Sequence, residues 1–562
     1  MLRQIFLAFA AVPALRLFSH AATLPIHERD TSTGPSCTNT TFLSVALASS
    51  LPGVSIISIL AREQKNVTVP ATPPFSAVDV SGLNFCDVEV VLTHAGMNDM
   101  VRVAVWLPLV GSDSTWNGRF LGTGGSGWAP GLFDYNLAPA VKLGYAAAST
   151  DAGLVDPSLG YTNPLSPASW ALTPSGGVNI PLLTNFASRS IHDMAVVGKA
   201  VAAAYYSKPA NHSYFNGCST GGRQGLAEAQ TYPTDFNGIV AGAPAINWAH
   251  YVVAETWPQV VMHDKNLFPS DCELDAFTAA AIAACDKLDG VEDGVITRPD
   301  QCTFDPSALI GTSIQCPSSD GKQNITTIIT ADVANIVQQI WSGPYNWYGL
   351  EKSASLDYLA NTTVSKAGKP VGAPFFVSDT WTQYFLAKNP NFDTSSVNTN
   401  EFFTLFNQSV TQYDSIIGTS NPDLSAFHSS GGKLLVWHGL ADQLIFPQGT
   451  VDYFHRVLAQ SSNQPHQDTD LDSFFRLFLA PGVDHCGGGT TPGAIPVDPL
   501  SAVVKWVEQG IPPDVLDAAS ADGKLKREVC KYPLVPVYRG QGDANDAASW
   551  TCEPDTTWQE WL

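Results

Sequence analysis

Charge is scarce in this chain. Only 14% of its 562 residues are Asp, Glu, Lys or Arg, where an ordinary soluble domain carries about 25%. Positive charge is scarcer still: 29 Lys and Arg stand against 51 Asp and Glu, a formal net of −22. No basic run occurs. Nucleic-acid binding rests on a basic surface, so that class is excluded. Disorder needs dense charge with few apolar residues, and 44% of this chain is apolar. Long hydrophobic runs are lacking too. None reaches the roughly 18 residues that span a bilayer, so no membrane-spanning helix is expected. Repeated C-x-x-C pairs are missing, which argues against a structural zinc cluster. Gly122-Thr123-Gly124-Gly125 lacks both the Walker lysine and the dinucleotide spacing, so no nucleotide or redox cofactor is expected.

What is present points to export. Residues 1–22 run from Arg3 through an apolar stretch at 5–15 to small residues at Ser19, Ala21 and Ala22. That is the order of a secretory leader, with cleavage expected after Ala21 or Ala22. Asn39, Asn66, Asn211, Asn324, Asn361 and Asn407 each head an N-x-S/T triplet, the acceptor pattern for glycans on exported chains. The ten cysteines then read as disulfides of an oxidising compartment.

Along the chain, strand signals at 88–92, 101–107, 120–121, 145–149 and 238–242 alternate with turns and with a helical period over 190–206. This βαβ rhythm predicts an α/β fold with a mostly parallel sheet covered on both faces. The rhythm breaks over 245–425 and returns with strands at 433–437 and 475–479 and a helix over 502–509. A core formed by 23–244 and 426–562, interrupted by an insertion at 245–425, accounts for the pattern better than three domains in series.

Gly217-Cys218-Ser219-Thr220-Gly221 matches G-x-S-x-G between an apolar strand and a helix. Such an elbow lifts a serine hydroxyl above the sheet, and the glycines let the turn close. Ser219 is the expected nucleophile. The base and its orienting acid should follow in the order Ser, acid, His, each after a strand. Asp442 and His485 occupy those places, with His438 and Asp484 as the rival residues; His438 reads as packed or hydrogen-bonded structurally. Cys218 precedes the nucleophile and Cys486 follows the base. If Ser219 and His485 meet, their neighbours come within the roughly 5.5 Å Cα separation of a disulfide, which would clamp nucleophile to base.

The stretches Gly217-Cys218-Ser219-Thr220-Gly221-Gly222, Gly439-Leu440-Ala441-Asp442 and Asp484-His485-Cys486 resemble the fungal tannase and feruloyl esterase family. Its members pair Cys-Ser and His-Cys around an intervening Asp, and the resemblance covers essentially the whole mature chain. It implies a secreted serine hydrolase with an α/β-hydrolase core and a large lid inserted after the nucleophile half. It also implies one oxyanion donor from the backbone of Thr220 and another from around Gly124 or Gly125.

The segment from Cys285 to Ile296 sets three aspartates at spacings of three and four. On spacing alone it is either a calcium loop or an acidic surface turn, and it is not an EF-hand. The resemblance implies a structural Ca2+ in the lid, held by the side chains of Asp286, Asp289 and Asp293 and the carbonyls of Val291 and Val295. Cys37–Cys86 and Cys530–Cys552 read as local bridges, Cys285–Cys302 would close the calcium segment, and Cys272–Cys316 is left by elimination.

The expected chemistry is ester hydrolysis through an acyl-serine. The first-choice substrates are feruloyl esters of plant cell wall, as feruloylated arabinoxylan or pectin fragments and small phenolic esters. Gallate esters of tannins come second, and a lipase is a further hydrolase alternative. A secreted carbohydrate-binding protein would explain the sequons, cysteines and aromatics, but not the ordered Ser, Asp and His. Trp248, Trp341, Tyr345, Trp347 and Trp381 are among the insertion's candidates for an aromatic cleft.

Overall fold

The computed structural model describes residues 36–43, 45, 51–71, 78–111, 115–155, 165–318, 323–462, 471–488 and 491–554. The expected leader, 1–22, lies outside the described residues.

Nine strands form the main sheet: β1 (Val54–Val69), β2 (Val80–His94), β3 (Val101–Pro108), β4 (Arg119–Thr123), β5 (Ala146–Thr150), β6 (His212–Cys218), β7 (Gly238–Gly242), β8 (Lys433–Gly439) and β9 (Phe475–Ala480). Their order is β1-β2-β3-β5-β4-β6-β7-β8-β9. The first four neighbours pair antiparallel, and from β5 to β9 every pairing is parallel. The two halves differ in sequence for a physical reason. Parallel strands covered on both faces bury every residue, as Ala146–Thr150, Gly238–Gly242 and Phe475–Ala480 do. The long β1–β2 hairpin alternates more and leaves part of one face to solvent.

Both faces of the sheet are packed. On one, helix α1 (Ser190–Tyr206) contributes Ile191, Met194, Val197 and Val201 to a core shared with Val103, Phe120, Phe215 and Val436. On the other, Leu137, Val141, Val503 and Val504 pack on Leu121, Tyr214, Leu435 and Phe478.

Strands β7 and β8 are direct parallel neighbours, and the stretch expected as an insertion, 245–425, lies within the chain between them, 243–432. It is largely helical, beginning with α3 (Trp248–Ala254), and also carries two small hairpins. Its apolar core is shared. Trp128, Trp170 and Phe186 from the sheet's loops pack with Trp248, Trp381 and Phe385 of the insertion and with Leu444 and Phe446 beyond it. Two more helices follow strands of the sheet: α2 (Thr220–Thr231) after β6, and α4 (Pro447–Ser462) after β8.

Candidate active site

Strand β6 ends at Cys218 and α2 begins at Thr220, so Ser219 alone makes the turn. Its φ of 64° and ψ of −125° lie outside the regions an L-residue adopts freely, a strain characteristic of functional turns. The turn is held by Ser219 N–H donating to the Gly242 carbonyl at 3.0 Å and Arg223 N–H donating to the Ser219 carbonyl at 3.0 Å. A Cβ at Gly217 would stand 2.6 Å from the Gly221 carbonyl carbon, so only glycine lets strand and helix approach this closely.

The other two residues arrive from neighbouring loops at the C-terminal ends of β8 and β9, where parallel sheets place their chemistry. Asp442 is fully buried. His485 Nδ1 donates to its Oδ2 at 2.8 Å. His438 Nε2 donates to the same oxygen at 3.1 Å. The N–H groups of Leu444 and Ile445 donate to Oδ1 at 2.9 and 2.8 Å. Burial works to raise this carboxyl, but the two imidazoles outweigh it and hold it below the usual carboxylate range. Gln443 Oε1 accepts the His485 backbone N–H at 2.9 Å, which fixes the base from behind. His485 Nε2 has no hydrogen-bond partner among the described residues and is the nitrogen left for a serine proton. Asp442 rather than Asp484 is the carboxylate on the His485 ring.

A Cys218–Cys486 disulfide joins the residues beside nucleophile and base, with Cα atoms 6.0 Å apart. The remaining cysteines pair as Cys37–Cys86, Cys272–Cys316, Cys285–Cys302 and Cys530–Cys552.

The oxyanion donors differ from expectation. Gly124 N–H donates to the Asn216 carbonyl at 3.1 Å, and Gly125 N–H to Gln224 Oε1 at 2.9 Å. Both are already engaged. These glycines serve close packing instead: a Cβ at Gly124 would lie 2.5 Å from Gly221 Cα, and one at Gly125 would collide with the Ala129 carbonyl. Thr220 remains, its N–H in the unpaired first turn of α2. Its hydroxyl donates to the Gly127 carbonyl at 2.7 Å, tying the helix start to the glycine-rich loop.

In the acidic loop, each carboxylate is turned onto donors of the protein. Asp286 accepts from the N–H groups of Asp293 and Gly294 at 3.2 and 3.0 Å. Asp289 accepts from Val291 N–H and the Thr297 hydroxyl. Asp293 accepts from Val295 N–H at 3.1 Å and pairs with Arg527 at 2.7 Å. Among the described residues no three His, Cys, Asp or Glu side chains are grouped to hold a metal ion. Asp286, Asp289 and Asp293 therefore supply oxygen donors of the kind calcium takes without converging in this conformation. Burial pushes the Asp289 and Asp293 carboxyls up, and the charge of neighbouring aspartates adds to it.

The insertion's aromatics are mostly core. Trp248, Trp341 and Trp381 are buried, whereas Tyr345 is exposed. A partly exposed aromatic beside the glycine-rich loop is Phe376, 39% exposed, whose ring would lie 3.4 Å from a Cβ at Gly127. Nothing in its local sequence distinguishes it from the core aromatics, because exposure is decided by the packing of the insertion.

A family model described as tannase and feruloyl esterase matches residues 86–553. A probable feruloyl esterase of Arthroderma benhamiae is 46% identical, with 98% of each chain covered. Tannin acyl hydrolase from Aspergillus niger superposes with a TM-score of 0.82 at 25% identity, covering 94% of this chain and 96% of that one. Feruloyl esterase B from Aspergillus oryzae superposes with a TM-score of 0.71 at 28% identity, covering 90% and 97%.

Proposed function

This chain belongs to the tannase and feruloyl esterase family, and we propose on that premise that it is a serine carboxylic-ester hydrolase releasing ferulic and related hydroxycinnamic acids from plant cell-wall esters. The observation that carries the reading is Ser219 on its strained elbow, with His485 bonded to buried Asp442 and clamped beside it through Cys218–Cys486. Ferulate is favoured over gallate by the 46% identical relative named as a probable feruloyl esterase.

The reaction follows from the geometry. Ser219 Oγ attacks the ester carbonyl carbon while its proton passes to His485 Nε2. Nδ1–H stays on Asp442, which stabilises the imidazolium without taking the proton. The carbonyl oxygen becomes an oxyanion facing the positive end of α2, with Thr220 N–H as a donor. Collapse expels the alcohol, which takes the proton from His485. Water, deprotonated by the same nitrogen, then attacks the acyl-serine and releases the aromatic acid.

Changing Ser219 to Ala should lower kcat/KM for methyl ferulate by about 10³-fold or more and abolish fluorophosphonate labelling. Undiminished turnover in that variant would sink the enzyme reading. Fast methyl gallate turnover with little methyl ferulate turnover would reassign the substrate and leave the mechanism intact.

Export through the secretory pathway is part of the proposal. The leader-like sequence and five disulfides support it, and Asn39, Asn66, Asn211, Asn324, Asn361 and Asn407 are all exposed, as glycan acceptors must be. No helix of the described residues is long and apolar enough to cross a membrane.

Calcium in the 286–295 loop is likewise proposed, supported by the crowding of three aspartates whose mutual charge a divalent cation would neutralise. Asp286, Asp289 and Asp293 would hold it with the carbonyls of Val291 and Val295, fastening the loop. Removing calcium by chelation should lower the melting temperature by a few degrees, with recovery on adding Ca2+ but not Mg2+. Unchanged melting after verified metal removal would end this proposal.

A further inference from the structure

The triad acid serves two imidazoles. His438, the residue before the end of β8, is fully buried, and its ring meets the same Asp442 oxygen that His485 bonds. Its Nε2 meets only acceptors: Asp442 Oδ2 at 3.1 Å and the Ile445 carbonyl at 3.1 Å. A bare nitrogen between two acceptors would be repelled by both, so Nε2 carries a hydrogen. Its Nδ1 lies 2.8 Å from the hydroxyl of Thr450, a 2% exposed residue in the first turn of α4. A hydroxyl can donate to that nitrogen. The chain of contacts is therefore Thr450 hydroxyl, His438, Asp442, His485, with Ser219 beyond. It brings two imidazoles, one of them backed by a hydroxyl, onto one carboxylate oxygen.

We propose that His438 is a positioning residue of the triad: a neutral imidazole, locked as its Nε2–H form by Thr450, that shares Asp442 Oδ2 and so limits the basicity Asp442 confers on His485. The proposal rests on the ester-hydrolase reading for its kinetic consequence, though not for its geometry.

Both imidazoles draw on one oxygen, Asp442 Oδ2. Without His438, Oδ2 would hold its charge against the His485 N–H alone and would favour the imidazolium more strongly. His485 would then remain protonated, and so inactive as a base, to higher pH. With His438 in place part of that charge is engaged permanently, and His485 is free to lose its proton at lower pH. A charged His438 would set a second cation on Asp442 each time His485 takes the serine proton. The neutral form held by Thr450 avoids that repulsion.

The other groups around the pair do not duplicate this role. Tyr251 of α3 and Glu255 just beyond it both feel the Asp442 charge. Burial pushes both well above their ordinary ranges, and neither bonds Asp442. Asp484 precedes His485 in the chain but does not bond its ring. Leu444 and Ile445 donate to Oδ1, the oxygen neither histidine uses.

The test compares wild type with His438→Leu, His438→Gln and Thr450→Val. Two readouts are used: the pH profile of kcat/KM for methyl ferulate, and the His485 imidazole titration followed by NMR in histidine-labelled protein. His438→Leu should move the acid limb and the NMR midpoint upward by about half to one pH unit, the range over which a modest change in one bond is felt. Its plateau kcat should stay within about tenfold of wild type while KM is kept, because the buried His438 meets no substrate group. His438→Gln, whose amide can donate from the place of Nε2, should keep the midpoint near that of wild type. Thr450→Val should shift it in the same direction as Leu, by less. An unchanged midpoint in folded His438→Leu overturns the proposal. If that variant does not fold, an unchanged midpoint in Thr450→Val overturns it instead. Retained hydrolysis in Ser219→Ala would defeat the hydrolase reading alone, because the NMR titration reports the coupling without substrate.

Discussion

His94, the last residue of β2, lies buried with its ring between two carboxylates. Its Nδ1 is 2.6 Å from Asp99 Oδ2 and its Nε2 is 3.1 Å from Asp193 Oδ2 on α1. Burial pulls the imidazole down, but the two carboxylates outweigh it and push it up to about 9. Asp99 is held below its usual range by His94 and by Asn185, against the opposing pull of burial. The sign of the linkage follows. A histidine raised from 6.5 to about 9 stabilises the fold fully below 6.5 and loses that contribution as pH rises through about 9. A depressed aspartate contributes above 3.8 and loses it as pH falls through its lower folded value. The cluster is therefore strongest between these two ordinary values. His94→Gln should cost about 3 kcal/mol near pH 6, since two buried carboxylates lose their counter-charge. It should also flatten the decline in melting temperature between pH 6.5 and 9 that calorimetry would record in the wild type. An equally steep decline in both proteins would show that His94 does not carry it.

At the scale of elements, legibility followed burial. Strands β5, β7 and β9 are covered on both faces, so continuous apolar runs mark them in the sequence. Helix α1 was readable over its full span, Ser190–Tyr206, because its small and apolar residues recur at helical spacing. Strand β1 was not. Its residues include Arg62, Glu63, Gln64, Lys65 and Asn66, and it is held as a strand by the register it shares with β2, from Val54 opposite His94 to Val69 opposite Val80. The site divides in the same way. Ser219, Asp442 and His485 stand out because each sits just after a strand in a fixed order. The direction of an N–H group leaves no such trace. Gly124 and Gly125 looked like oxyanion donors, yet their N–H groups face Asn216 and Gln224. His438 looked like packing, and its bond to Asp442 depends on how the loop after β8 folds back on that strand.

For the whole molecule, the decisive link is the one that ignores chain order. Ser219 and His485 belong to loops separated by the entire insertion and by β7, β8 and β9. Each loop is anchored to its own strand, but the distance between them rests on sheet packing and on Cys218–Cys486, whose sulfurs close 268 residues of sequence separation. Constraining so long a loop in the unfolded chain is worth up to about 5 kcal/mol in the chain-entropy account. The native-state effect is more local, because Cys486 has a positive φ of 56° directly after the base. Replacing both cysteines by Ala should lower the melting temperature and cut kcat for methyl ferulate by about tenfold or more, since misplacing reacting groups by even 1 Å is costly. Binding groups elsewhere are untouched, so KM should hold. The informative comparison is with the Cys272→Ala, Cys316→Ala pair, which opens a bridge in the insertion and should reduce stability while leaving kcat near wild type. Equal losses of kcat in the two double variants would mean that Cys218–Cys486 stabilises the fold without aligning the catalytic pair.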